Sequence, residues 1–349
     1  MSGKAIPTLL HGGIRPMKAP FRRALLGALV LSGLATAAIA PAAEQWTRDP
    51  RQNAAPVRTT RADLYRALDS YLAALKARDP SKVKWAPRVR NTENNVALMV
   101  GDGLWGTITA LGEYDLRFAD TLTGQVGFFG TVTETTDTSA YTVRLKVEAD
   151  GSISEVETLI VRQADSGIKF EDQKFEHKPV MNEILPPERR VPRAQMITLA
   201  DGYFDTLQLN DGTLYTKFHP NCARVENGVR TTHNPGFTVT PVSKLGCEEQ
   251  FRMGYYRYND RLRGRRFPLV DEERGLVLAG GFIDKTGRLG EYRLTDGTLQ
   301  APLLHRPHSF YLLELFKIKD GMIEQIEANF LTVPYHMPSP WDDWARGGD

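Results

Sequence analysis

The stretch SAYTVRLKVEADGSISEVETLIVR, residues 139–162, decides the fold. It is rich in Val, Thr and aromatic residues, breaks at the turn signal Asp150-Gly151, and resumes as ISEVETLIVR, the pattern of two antiparallel strands tightly joined. TGQVGFFGTVTETT, from Thr123, reads as a further strand ahead of them. Upstream, Leu64, Leu68, Tyr71, Leu72 and Leu75 follow the period of an amphipathic helix between Arg61 and Ala77. Thr60 can cap its first turn and Pro80 bounds it. One helix followed by tightly turned strands, without a helix-length crossover between the late strands, is α+β rather than doubly wound α/β.

The same order returns downstream. MITLADGYFDTLQL (196–209) is helical in pattern and ends near Asn210-Asp211-Gly212; FHPNCARVENG, FPLVDEERGLVLAGGFID, SFYLLELFKIKDG and MIEQIEANFL follow as strands. Arg90-Asn91-Thr92-Glu93-Asn94 resembles Arg224-Val225-Glu226-Asn227, with Glu93 and Glu226 separated by 133 residues. Asp150-Gly151 with Glu157 echoes Asp320-Gly321 with Glu327 at a separation of 170, so an insertion of 37 residues is expected in the second copy, near 231–275. Two similar units follow: 60–180, a linker at 181–195, and 196–340, with a tail at 341–349. Each must bury one face of a curved sheet under helices, leaving a pocket inside.

The chain has 349 residues, 41% hydrophobic and 25% charged, which excludes a disulfide miniprotein or a disordered tail. Its formal charge of +2 rests on Lys4, Arg15, Lys18, Arg22 and Arg23 in the acid-free segment 1–42; without them 39 basic residues face 42 acidic ones. Nucleic acid is therefore not an expected partner. KAPFRR, the uncharged run Ala24–Ala40 and Ala40-Pro41-Ala42 read as a signal peptide over 1–42, with Met17 an alternative start, followed by a lead-in over 43–59. The expectation is an exported protein, periplasmic or secreted, without stable membrane insertion once the leader is removed.

The N-terminal helix, the stretch from Asp211 to Gly228, RRFPLVDEERGLVLAGGFID (Arg265–Asp284) and ELFKIKDGMIEQIEA (Glu314–Ala328) resemble the NTF2-like or SnoaL-like superfamily. The resemblance implies two cone-shaped α+β barrels. The superfamily hosts dehydratases, isomerases, cyclases and lyases without a cofactor, as well as noncatalytic binders. The tandem ENG…VDEERG pattern is similar to that of bacterial gamma-formaldehyde lyases of lignin-derived aromatic dimers. This implies a small aromatic substrate and retro-aldol-like release of formaldehyde.

Candidate site residues cluster in the second unit. Arg224 and Glu226 share one face of a strand, where the cation could steady an oxyanion and the carboxylate move a proton; a structural Arg–Glu pair is the alternative. His219, Asn227 and His233 surround them. Asp271 and Arg274 could reach the cavity after a local bend, and Asp284 could be a rim base or a turn cap. His308, with His305 in the same LLHRPHSF stretch, could shuttle protons. His336 with Tyr335 and Trp341 could form an aromatic lid, and Trp105 is their counterpart in the first unit, although core packing explains such rings equally well.

The sequence holds no HExxH motif and no glycine-rich nucleotide loop in the required strand–helix context, so neither a metal nor a cofactor is expected. Cys222 and Cys247 suit a disulfide in an exported chain. An open sheet needs cover, from a homodimer or from the other half of the chain.

Overall fold

The computed structural model describes residues 59–162, 178–302 and 305–342. The expected signal peptide, nearly all of the lead-in and the end of the tail lie outside these residues. The first half begins with helix α1 (Arg61–Lys76), followed by β1 (Trp85–Glu93), β2 (Val96–Ala97), the short α2 (Leu104–Thr107), β3 (Ile108–Asp120), β4 (Gln125–Glu134), β5 (Asp137–Val147) and β6 (Ile153–Val161). After α3 (Pro179–Asn182) come α4 (Arg193–Leu209), β7 (Phe218–Glu226), β8 (Val229–Arg230), α5 (Cys247–Arg252), β9 (Arg261–Asp271) and β10 (Leu276–Lys285). The small pair β11 (Tyr292–Arg293) and β12 (Leu299–Gln300) precedes β13 (His308–Lys319) and β14 (Met322–Val333).

Two curved six-stranded sheets result, ordered β2-β1-β6-β5-β4-β3 and β8-β7-β14-β13-β10-β9. They repeat one topology. Glu93 pairs with Thr158 as Glu226 pairs with Ala328. Asn94 and Asn227, both at positive φ, each bond both backbone groups of one residue, Ile160 and Phe330 respectively. The polar echoes in the sequence thus occupy equivalent places.

Some expectations need correction. β1 and β6 run parallel, as do β7 and β14, so neither sheet is wholly antiparallel. The additional residues of the second half do not form one insertion near 231–275. They divide between the β8–β9 and β10–β13 connections, because the first half closes the equivalent β4–β5 link with a tight turn. Nor is 181–195 a free linker: Met181 is buried between the sheets, Leu185 N donates to Glu273 O at 2.8 Å, and α4 begins within the segment, at Arg193.

Helix α1 forms as its sequence directs. Thr60 Oγ1 accepts from Asp63 N at 3.1 Å while the Asp63 carboxylate accepts from Thr60 N at 3.2 Å, satisfying two otherwise unpaired amides. Its apolar stripe, with Leu64, Leu68 and Tyr71, covers the concave face of the first sheet. Helix α4 covers the second sheet with Met196, Ala200, Tyr203, Phe204 and Leu207. The opposite faces pack on each other through residues such as Phe118, Phe129, Leu278, Tyr311 and Leu313. Cover on both faces leaves β13 buried at every position from His308 to Ile318.

Polar groups lock this contact between sheets. Glu157 accepts from Arg144 Nε and Arg266 Nη1, each at 2.8 Å, and from the Tyr311 hydroxyl at 2.6 Å. Ala119 N donates to Asp271 at 3.0 Å and Val270 N donates to Asp120 at 3.0 Å, a reciprocal exchange between the halves. The C-terminal segment returns to place Trp341 beneath the guanidinium groups of Arg90, Arg144 and Arg266, 4.7–5.3 Å from its ring.

Candidate active site

The concave side of the second sheet encloses a cavity of about 220 Å³. Its wall is mainly apolar and aromatic, including Leu207, Tyr256, Tyr258, Phe310, Leu312 and Phe330, and its ionisable groups are Arg224, Glu226, Asp260, Lys285 and Glu314, with the tyrosines. Such a wall suits a ring-bearing molecule with few polar handles.

Strand register places the two inner carboxylates. Glu226 pairs with Ala328, and Ala328 pairs with Glu314, so one row crosses β7, β14 and β13 with all three residues on the cavity face. At the ordinary strand spacing their backbones are roughly 10 Å apart, separated by an alanine that leaves room between the carboxylates. Glu314 is 3% exposed. Burial pushes its carboxyl up to about 8, reinforced by the charge of Glu226 and opposed by Arg224 and a hydrogen bond from Tyr203. At neutral pH it is mostly a neutral acid.

Arg224 is the hub of this wall. Its guanidinium donates to Thr231 Oγ1 at 3.2 Å, to Gln250 Oε1 at 2.6 Å and to the Tyr203 and Tyr256 hydroxyls, and it lies 3.6 Å from the Glu226 carboxylate. It orients Glu226 and the tyrosines from within a filled donor shell. Lys285, at the end of β10, places Nζ 4.4 Å from the centres of both the Tyr258 and Phe310 rings. Burial pushes this ammonium down to about 7, against the pull of Glu226 and Asp260.

Of the residues singled out in sequence, Arg224 and Glu226 line this cavity. The others are placed elsewhere. Asp271, fully buried, accepts from Arg61 Nη1 at 2.6 Å and from Ala119 N, and Arg274 donates to Arg117 O at 2.7 Å; both join the two halves. The expected bend toward the cavity is replaced by pairing of Asp271 with Leu276 at the end of the β9–β10 ladder. Asp284 lies on the face opposite its cavity-lining neighbours Ile283 and Lys285, held by Ser309 Oγ at 2.6 Å and Arg263 Nε at 2.8 Å.

His336 stacks on Tyr335 and lies 3.4 Å from Asp284, and Trp341 sits between the sheets, so these residues make no lid over the cavity. Trp105 packs against Tyr71 and Trp85 in the first-half core. Asn227 holds the β7–β8 turn rather than a ligand. His219 Nδ1 accepts from Asn221 N at 3.1 Å, and His233 Nε2 lies 3.2 Å from Cys222 O; neither lines the cavity. His308 sits opposite Lys285 in the register, just beyond the wall, with Nδ1 2.8 Å from Arg306 O, and burial pulls its pKa down.

Cys222 and Cys247 form a disulfide that ties β7 to α5. Among the described residues, no group of three or more His, Cys, Asp or Glu side chains is placed to hold a metal ion, and no helix is long and apolar enough to cross a membrane.

Sequence reading missed Glu314, Lys285, Tyr203, Tyr256 and Tyr258. Glu314 carried a signal: in SFYLLELFKIK the period of two puts it in line with Phe310, Leu312 and Phe316, an acid on an otherwise apolar face. The three tyrosines carried none, since α4 and the β8–β9 connection meet only in the folded chain.

No curated protein matches the chain. A family model matches residues 57–160 and 189–330, two segments that span α1 to β6 and α4 to most of β14. The chain therefore belongs to the family described as a domain of unknown function, DUF8021.

Proposed function

We propose that the second-half cavity is the active site of a carbon–carbon lyase acting on a small aromatic molecule bearing a hydroxymethyl group, from which it releases formaldehyde. The observation carrying this reading is the cavity itself: a largely apolar wall with Glu226 oriented by Arg224 and a buried, mostly neutral Glu314 two strands away. Glu226 accepts the hydroxyl proton, the bond to the hydroxymethyl carbon breaks, and formaldehyde leaves. Glu314 returns a proton to the carbon left behind, and exchange between the carboxyl groups and solvent resets the site.

The helix-covered six-stranded sheets support the reading of each half as an NTF2-like cone. The disulfide, together with the leader expected from the sequence, supports a place outside the cytoplasm. The test incubates the full chain with hydroxymethyl aryl dimers and measures formaldehyde and the matching aryl product. Stoichiometric release that is lost in Glu314→Gln is expected. Turnover without formaldehyde would replace cleavage by dehydration or isomerisation, and tight binding without turnover would make the chain a binder of aromatic ligands.

A further inference from the structure

Cleavage beside a hydroxymethyl group needs somewhere for the bonding electron pair to go, and carboxyl groups alone offer it no sink. Lys285 is the amine in the cavity wall. Its Nζ rests against the faces of Tyr258 and Phe310, and among the described residues no oxygen lies within hydrogen-bond distance of it. The Asp260 carboxylate in the same wall is bonded to Thr286 Oγ1 at 3.2 Å and not to this amine.

We propose that Lys285 is a carbonyl-capturing amine, and that the ligand of this cavity is an aryl ketone or aldehyde, in the productive case a β-hydroxy ketone. This rests on the reading of the cavity as a cleavage site and names its substrate class.

The steps balance. The neutral amine adds to the carbonyl carbon, forming a C–N bond. The carbinolamine loses its oxygen as water, with a proton from Glu314, leaving a protonated imine. Glu226 then takes the hydroxyl proton, the carbon–carbon bond breaks, and its electron pair moves into the iminium to give an enamine as formaldehyde departs. Protonation of the enamine carbon and addition of water return the amine and release the shortened ketone. No oxidant or reductant is consumed. Burial in the cavity wall leaves a share of the amine neutral at pH 7, the state the first step requires.

The experiment treats the full chain with anisaldehyde and sodium cyanoborohydride at neutral pH and locates the secondary amine by peptide mass spectrometry. Lys285 is expected to label about tenfold faster than any other lysine. Prior addition of β-hydroxypropiophenone is expected to slow labelling, while that ketone is converted to acetophenone and formaldehyde. Lys285→Arg, which keeps the positive charge and has no comparable nucleophile, is expected to lose both the label and the conversion. Even labelling across exposed lysines would overturn the proposal. Formaldehyde release undiminished in Lys285→Arg would also overturn it while leaving the cavity as the cleavage site. Selective labelling of Lys285 with no formaldehyde from any aryl substrate would uphold capture and reject the cleavage reading.

Discussion

The two halves share a topology and differ in what fills them. In the first, Trp105, Trp85 and Tyr71 meet edge to face, and the space beside them is about 10 Å³. In the second, about 220 Å³ stays open. Register shows how equivalent positions diverge: Glu93 matches Glu226, Thr158 matches Ala328, Val143 matches Glu314, and Glu134 matches Lys285. Glu93 is occupied in the first half. It accepts from Leu104 N at 2.8 Å, pinning the helix that carries Trp105, and with Glu134 it pairs with Arg162. In the second half the longer β8–β9 connection places α5, Tyr256 and Tyr258 around the space rather than in it, and Glu226 faces the opening. One copy is thus a packed support, while the other keeps a cavity lined by ionisable groups.

The largest expected effect separates the copies at Glu314. Glu314→Gln should lower turnover by about 10²–10⁴-fold with the fold intact, as loss of a general acid does, measured by formaldehyde release. Its counterpart Val143 is buried core; Val143→Ala should leave turnover within a few-fold of the parent while costing stability.

At the sheet contact, Glu157→Gln removes the buried carboxylate shared by Arg266 and Arg144, the latter keeping Glu155 at 2.7 Å, and should cost about 3–5 kcal/mol in denaturant unfolding. The equivalent Glu327 accepts from Tyr114 at 2.7 Å and pairs with Lys178 at 3.1 Å, so Glu327→Gln should cost less, because that carboxylate serves one lysine rather than two guanidinium groups. A reversed order would contradict the account of that interface.

Trp105→Ala should cost about 3–5 kcal/mol and open in the first half a void like that of the second. A crystal structure of the variant would show whether the void remains. Formaldehyde release per folded molecule should not rise, since the new space has no counterpart of Glu314.

The most gradual effect is on pH dependence. Glu314 has a raised folded-state pKa, so the native chain binds more protons than the unfolded chain between about pH 4.5 and 8. Stability should therefore fall through that window by up to about 1.4 kcal/mol per pH unit. Lys285 is lowered, so its contribution has the opposite sign and stability should recover from about pH 7 toward 10.5. Denaturant midpoints across pH should show the first slope flattened in Glu314→Val and the second in Lys285→Met.

Much of the fold was legible because local rules and tertiary packing agree. The Thr60 cap, the α1 stripe, the Asp150-Gly151 turn and its echo at Asp320-Gly321 all act over a few residues. Strand β3 was not: ITALGEYDLRFAD mixes charges with apolar residues, and its buried face depends on the other sheet. The cavity wall was legible at Arg224 and Glu226, two residues apart on one strand. Asp271, Arg274 and Asp284 misled because a buried contact between sheets needs the same paired charges as an active site, and one sequence does not say which face looks inward. Glu314 and Lys285 escaped for the converse reason: each shares its strand with other charges, Lys317 and Asp284 among them, and their convergence on one cavity follows from sheet curvature.

The most direct test of the division between the halves compares Glu226→Gln with Glu93→Gln, the same change at equivalent positions, by formaldehyde release per folded molecule. Glu226→Gln is expected to lose at least about 100-fold, while Glu93→Gln keeps its turnover and unfolds more easily. Full activity in Glu226→Gln, or loss of activity in a folded Glu93→Gln, would contradict that division.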